Sequence, residues 1–265
     1  MRALLLAAGL GTRLQPLTNY LPKCLVPIHG RPLLDYWLET LLDHGVEQVL
    51  INTHYMAPMV EQYLNRSTWL PNITLVHEET LWGTGGTILR NCGFFKGEAF
   101  LVAHADNLTI FDLPTFIHQH SVRPKECEIT MMVFKTPSPQ SCGIVSLDSR
   151  GVVQAFHEKV LNPPGNLANG AVYILEPAVV DWMADLGKTQ VDFSTEVIPH
   201  FLGKIFSYRN DLYHRDIGMM ESWVEANRDF PLLVAAKQNS RAWSYVLEGG
   251  VGQQVQILER FNEFR

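Results

Sequence analysis

Ala3-Leu4-Leu5-Leu6-Ala7-Ala8-Gly9-Leu10-Gly11-Thr12-Arg13 is an apolar run that breaks into two glycines and a cation. Its first five residues show no polar alternation, as expected of a strand covered on both faces in a parallel sheet. Gly9 and Gly11 follow at once, and without a Cβ they let backbone N–H groups approach a phosphate closely. Two common phosphate-binding templates are not met. A dinucleotide fingerprint needs a third glycine where Leu14 stands, and a Walker A loop needs Gly-Lys-Ser/Thr where the chain reads Gly11-Thr12-Arg13. A secretory leader is the other reading of so apolar a start, but the run is short and Gly9–Arg13 interrupts it. A buried first strand is expected.

Outward from this strand, helical and extended patterns alternate. Leu33, Leu34, Trp37, Leu38, Leu41 and Leu42 recur at helical spacing, and Gly45 supplies the stop. Strands are expected at Val49–Asn52, Ile73–His77 and Phe100–Ala103, with a helix over Pro58–Leu64. This order predicts an α/β fold, a doubly wound and mostly parallel Rossmann-like sheet with right-handed crossovers. The second half is richer in strands, at Ile129–Phe134, Gly143–Leu147, Val152–Phe156, Gly170–Leu175, Ile205–Tyr208 and Leu212–Ile217, with a helix at Asp192–Leu202. Residues 1–110 and 111–226 are expected to form two parts of one domain. Residues 227–265 read as an extension for packing or homo-oligomerisation, with Val251 and Ile257 faintly suggesting one β-helix rung.

Composition narrows the function. The 265 residues carry 27 acidic against 21 basic side chains, a net charge of −6, which argues against a nucleic-acid partner. Hydrophobic residues at 46% and charged residues at 18% mark an ordinary globular chain rather than a disordered one. No apolar stretch approaches the roughly 20 residues of a membrane span, so no membrane is expected as partner. Cys24, Cys92, Cys127 and Cys142 are scattered, which suits reduced thiols in the cytoplasm better than zinc ligation or a disulfide framework. None of the ten histidines belongs to an H-E-x-x-H pattern.

The glycine turn continues into Leu14-Gln15-Pro16-Leu17-Thr18, Leu21-Pro22-Lys23-Cys24-Leu25-Val26-Pro27-Ile28 and Arg31-Pro32-Leu33. This long run closely resembles the signature of the sugar-1-phosphate nucleotidyltransferases, which make NDP-sugars from an NTP and a sugar 1-phosphate. The resemblance extends through Gly83-Thr84-Gly85-Gly86, Asp106-Asn107, Gly143, Glu158-Lys159, Asn169-Gly170 and Asp216-Ile217-Gly218, about residues 1–226. It implies a nucleotidyltransferase fold with a strand-rich sugar-binding portion. It also implies that Arg13 and Lys23 activate the nucleotide and that Asp106 and Asp216 hold Mg²⁺. Leu6, Ala8, Gly9, Gly11, Thr12 and Gly83–Gly86 would bind the nucleotide. Asn107, Gly143, Glu158, Lys159, Asn169 and Gly170 would bind the sugar phosphate.

Elementary chemistry points the same way. Two polyanions can meet only among cations and aligned N–H donors; Arg13 offers a planar fork for phosphates and Lys23 a compact charge. Asp106 follows a strand, at the sheet edge where open α/β folds place ligands, and paired carboxylates suit Mg²⁺.

Ala105, Val160 and Met219 depart from the residues usual in the family, without removing a charge. Trp82-Gly83-Thr84-Gly85-Gly86 looks more like enzymes that use GTP with manno-configured sugars than those that use UTP or dTTP. A uridylyl- or cytidylyltransferase, acting on another sugar phosphate or on phosphocholine, is the alternative. A nucleotide-sugar sensor subunit is the rival from another class, and retention of every expected charge counts against it.

Overall fold

The computed structural model describes residues 1–230 and the pair 246–247. Along the chain the strands are β1 (Arg2–Leu6), β2 (Pro27–Ile28), β3 (Arg31–Pro32), β4 (Gln48–Thr53), β5 (Ile73–His77), β6 (Phe100–His104), β7 (Asn107–Ile110), β8 (Ile129–Lys135), β9 (Gly143–Leu147), β10 (Val153–Glu158), β11 (Leu167–Leu175), β12 (Ile205–Arg209) and β13 (Tyr213–Asp216). The helices are α1 (Leu33–Leu42), α2 (Ala57–Leu64), α3 (Gly83–Arg90), α4 (Leu113–Ser121), α5 (Pro177–Asp185), α6 (Ile198–His200) and α7 (Met220–Asp229). The expected α/β class holds. Every strand expected from the sequence is present, with ends shifted by a few residues at most. Among the described residues no helix is long and apolar enough to cross a membrane. The β-helix rung and the extension expected beyond residue 230 lie outside the described residues.

The chain divides into two compact units. One comprises Met1–Leu4, Leu81–His104 and Ile110–His214; the other comprises Leu5–Thr80, Ala105–Thr109 and the described residues from Arg215. The division falls within β1. In the first unit the strand order is β10-β9-β11-β6-β1, with β8 paired to both β11 and β12. Here β11 runs antiparallel to β6, β8 and β9, while β12 and β8 are parallel. In the second unit the order is β1-β4-β5, and β4 and β5 are parallel.

The second unit folds around helix α1. Leu33, Leu34, Leu38 and Leu41 are fully buried, as their spacing demands. Trp37 is also buried, and its indole N–H donates to the Asn107 carbonyl at 2.8 Å; Trp223 donates to the Pro27 carbonyl at 2.7 Å. Each indole therefore buries its area without orphaning a donor, and truncation to Ala costs about 3–5 kcal/mol.

Two segments differ from expectation for local reasons. The region expected as a helix over Asp192–Leu202 is helical over residues 193–200, wound as a wide π-helix at Phe193–Val197 that runs into the short α6. Asp192 caps it by accepting from Thr195 N–H at 2.7 Å, and Pro199 then removes a backbone donor. Strand β11 begins three residues earlier than expected because it absorbs a bulge between Asn169 and Tyr173.

Candidate functional site

In the second unit, β1 ends on a turn that is fixed before any ligand arrives. Gly11 has φ +65°, and a Cβ there would meet Thr18 Cγ2 at 2.8 Å, so the turn requires glycine. The Thr18 hydroxyl donates to the Gly11 carbonyl at 2.7 Å, and Leu14 N–H donates to the same carbonyl at 2.9 Å. Leu14 is buried while Thr12 and Arg13 are exposed, so the short helical turn Thr12–Leu14 anchors one side chain and presents the guanidinium. Leu6, Ala8 and Gly9 line the end of β1, with Ala8 buried and Gly9 exposed.

The same unit brings three charges together. Lys23 Nζ donates to Asp106 Oδ2 at 2.6 Å and to Asp216 Oδ1 at 3.3 Å. Lys23 sits on the short helical turn Lys23–Leu25, and its side chain is only 9% exposed. Burial alone would lower its pKa, but the carboxylates of Asp106 and Asp216 outweigh it and hold the ammonium above its ordinary value. Asp106 immediately precedes β7, and Asp216 ends β13; these strands form a two-stranded ribbon, and Ile217 N–H donates to the Asp106 carbonyl at 3.2 Å. Gly218 completes the cluster: a Cβ there would meet Asp216 Oδ2 at 2.8 Å. Arg215 holds β13 to α7 through ion pairs with Glu225 and Asp229. Asn107 is buried beside Asp106, its carbonyl held by Trp37.

Asn52 and Glu78 belong beside the end of β1, although neither belongs to the motifs quoted above. Ala7 N–H donates to Asn52 Oδ1 at 2.8 Å, and Asn52 Nδ2 donates to Glu78 Oε1 at 3.2 Å. Glu78 directly follows β5 and is 5% exposed. A glutamate buried at the carboxyl end of a strand is a candidate site residue, since Glu is seldom fully buried. The available sequence signal was position: each residue lies at the carboxyl end of an expected strand.

In the first unit Gly83–Gly86 forms the opening turn of α3. Gly83 has φ +73° and Gly85 N–H donates to the Val191 carbonyl at 2.9 Å. A Cβ at Gly85 would meet Val191 Cβ at 2.8 Å, and one at Gly86 would meet the Thr189 carbonyl at 2.8 Å. Close packing on 189–191 thus demands small residues in this segment; Thr84 stands between them.

Of the residues expected at the sugar phosphate, Asn107 opens β7 in the second unit, and the others lie on or next to β9, β10 and β11. Glu158 is paired in register with Gly143, where a Cβ would meet the Phe156 ring at 2.3 Å and Glu158 Oε2 at 2.7 Å. Lys159 follows at φ +48°, and its ammonium pairs with Glu158 Oε1 at 3.2 Å. Asn169 donates to the Tyr173 hydroxyl at 2.6 Å and accepts from Ala171 N–H at 2.9 Å, which fixes the β11 bulge with Ala171 at φ +51°. Gly170 lies against the Met132 carbonyl, 3.2 Å from where its Cβ would stand. Non-glycine residues at positive φ persist only where their surroundings hold them, and they gather at functional sites.

The second unit thus carries a glycine turn that presents a guanidinium and two convergent carboxylates around a lysine, and the first carries a strained strand pair bearing Glu-Lys. The chain belongs to the nucleotidyl transferase family, whose model matches residues 2–231. It is similar to mannose-1-phosphate guanylyltransferase of Mycobacterium tuberculosis, 32% identical over 232 residues covering 86% of this chain and 64% of that protein. It is 29% identical to D-glycero-alpha-D-manno-heptose 1-phosphate guanylyltransferase of Aneurinibacillus thermoaerophilus, covering 86% of this chain and 98% of that protein. UTP–glucose-1-phosphate uridylyltransferase of Synechocystis is 28% identical, covering 86% and 63%. The crystal structure of HddC from Yersinia pseudotuberculosis superimposes with a TM-score of 0.74 at 25% identity, covering 87% of this chain and 99% of that one.

Proposed function

We propose that the chain transfers a nucleotidyl group from an NTP to a sugar 1-phosphate, releasing pyrophosphate, with GTP and a manno-configured sugar as substrates. The observation that carries this reading is the Lys23–Asp106–Asp216 cluster beside the turn that presents Arg13, all within one compact unit. The sugar phosphate oxygen attacks the α-phosphorus; a P–O bond forms there as the bond to the departing pyrophosphate breaks. The nucleophile is already an anion, so no covalent enzyme intermediate is required. The protein's task is positioning and neutralisation of charge. Arg13 binds the phosphates that leave, and Lys23 the α-phosphate. Lys159 takes the phosphate of the incoming sugar, while Glu158 and Asn169 accept and donate hydrogen bonds at its hydroxyls.

The donor set fits Mg²⁺. Asp106 and Asp216 direct hard oxygen donors at one cationic nitrogen, and Mg²⁺ typically takes one or two protein carboxylates together with phosphate oxygens. Bound by these two residues, the ion would neutralise developing charge on the phosphates.

Glu78 supports the guanine preference. Guanine presents two adjacent donors, N1–H and the exocyclic amine, to which a carboxylate can accept in pairs; uracil presents one donor flanked by carbonyl oxygens, which a carboxylate repels. The mannose and heptose guanylyltransferases among the relatives agree with this preference. The Synechocystis uridylyltransferase supports UTP as the second reading. The four unpaired cysteines suit action in the cytoplasm.

The test is pyrophosphate release with Mg²⁺, crossing ATP, GTP, CTP, UTP and dTTP with a panel of sugar 1-phosphates and phosphocholine. Release confined to GTP with mannose or heptose 1-phosphate is expected. Release with UTP or CTP alone would replace the base assignment. Nucleotide binding without turnover on any partner would favour a sensor.

A further inference from the structure

In the second unit a cation already stands where two carboxylates converge. Lys23 Nζ lies 2.6 Å from Asp106 Oδ2 and 3.3 Å from Asp216 Oδ1. Two carboxylates drawn to a single centre repel one another unless a positive charge stands between them. The lysine is fixed there: its backbone is in the short turn Lys23–Leu25, Val26 N–H donates to its carbonyl at 3.2 Å, and the neighbouring Cys24 and Leu25 are buried. The Asp106 backbone is tied as well, its carbonyl accepting from Ile217 N–H at 3.2 Å, and Gly218 leaves room for the Asp216 carboxylate.

We infer that Lys23 is a built-in place-holder for the divalent cation: its ammonium holds Asp106 and Asp216 together in the metal-free chain, and a divalent ion must displace it from them. The inference rests on the proposed metal role of the two aspartates. An ammonium and a divalent ion cannot both sit between the same oxygens at hydrogen-bonding distance without strong repulsion. Once displaced, the Lys23 side chain needs another anion, and an NTP phosphate is the one its proposed role supplies. The exchange makes the aspartates poor ligands for a lone divalent ion, and the nucleotide makes them good ones. It also leaves the carboxylates preorganised before either arrives, so metal binding carries little cost for gathering like charges.

The test measures metal binding directly. Mn²⁺ is titrated calorimetrically into the nucleotide-free full chain, and thermal unfolding is followed with and without Mn²⁺. Lys23→Gln is expected to bind Mn²⁺ on the order of tenfold more tightly than the wild type. Without metal it should melt at a lower temperature, and Mn²⁺ should restore it by more than it raises the wild type. Lys23→Arg, which keeps the charge, should remain a weak binder. Asp106→Asn should abolish the tight binding when combined with Lys23→Gln. Equal or weaker Mn²⁺ binding by Lys23→Gln, with binding still lost on Asp106→Asn, would overturn the place-holder while leaving the metal site standing. Failure of every chain to bind Mn²⁺, with or without GTP, would overturn the metal assignment and the inference with it.

Should Lys23→Gln fail to fold, reductive methylation of the wild type gives the same answer. Mass spectrometry should find Lys23 modified several-fold faster with saturating Mn²⁺ than without it. No change in rate, with Mn²⁺ shown to bind, would overturn the inference.

Discussion

In the second unit one ammonium, 9% exposed, is shared by two carboxylates drawn from distant parts of the chain. In the first unit Lys159 stands 64% exposed, pairs with its own neighbour Glu158, and is aimed by a backbone at φ +48°. The two lysines have parallel proposed roles toward phosphate but opposite physical support. A buried pair is part of the fold, and removing one partner leaves a charge without compensation. An exposed pair contributes about 0–1 kcal/mol and can be deleted at little structural cost. The contrast teaches that the lysine proposed for the α-phosphate is held inside its unit, whereas the one proposed for the sugar phosphate is set by strand geometry at a surface.

The sharpest way to break this comparison is to remove the part-buried carboxylate nearest the buried ammonium. Asp106→Ala takes away the nearer partner of Lys23 at 2.6 Å and leaves Asp216 at 3.3 Å. Pyrophosphate release should fall at least about 1,000-fold, and stability by up to about 3 kcal/mol, less than the loss of an isolated buried pair because Asp216 remains. Lys159→Ala is the matching change at the surface: unfolding should shift by no more than about 0.5 kcal/mol while KM for the sugar phosphate rises about tenfold. Thermal melts alongside kinetics separate the two. Equal losses of stability would erase the distinction.

A second, smaller effect concerns the buried carboxylate near the end of β1. Glu78→Gln replaces an all-acceptor group with one that both donates and accepts, matching the uracil edge better than the guanine edge. The ratio of kcat/KM for GTP over UTP should drop by about 100-fold or more, because a site built on paired hydrogen bonds rejects the wrong partner strongly. An unchanged ratio would remove Glu78 from base selection.

These predictions draw on residues that were legible in the sequence to different degrees. The run from Leu6 through Leu33 points to Arg13 and Lys23 through its resemblance to the family signature, since the glycine turn alone is a weak signal. Asp106 and Asp216 were legible as strand-end carboxylates, but nothing in one dimension says that Lys23 reaches both. Glu78 and Asn52 were missed because a polar residue after a strand is usually a cap; only burial distinguishes them. Helix α4 was also missed, though Asp112-Leu113-Pro114-Thr115 carries a start signal: Asp112 accepts from Thr115 N–H at 2.9 Å. The antiparallel pairing of β11 with β6, β8 and β9 could not be read, because register depends on partners far apart in the chain. Gly85 and Gly86 were read toward the nucleotide, and the structure gives them a packing reason that their sequence did not display.

The smallest effect contrasts the two units away from the site, through one buried titratable group in each. In the second unit burial pushes the Asp35 carboxyl up to about 6, against the Tyr63 hydroxyl and Arg31, which favour its ionised form. A raised carboxyl stabilises the fold when protonated, so its contribution is present below about pH 4, the ordinary range, and is lost as pH rises through 6. In the first unit burial lowers His120 to about 4, assisted by Arg123 and opposed by Glu176, while its ring contacts the Thr130 hydroxyl at 2.7 Å. A lowered imidazole stabilises the fold when neutral, so its contribution is present above about pH 6.5 and is lost as pH falls through 4. Between pH 4 and 6 the two slopes oppose one another, and the wild type should show a shallow net dependence. Removing either group uncovers the other: Asp35→Asn should become more stable as pH rises through this window, and His120→Gln less stable. Each slope is bounded at about 1.4 kcal/mol per pH unit, the limit for one proton. Urea unfolding at four pH values between 4 and 6.5 measures both, and slopes of the same sign in the two variants would show that these groups do not carry the dependence.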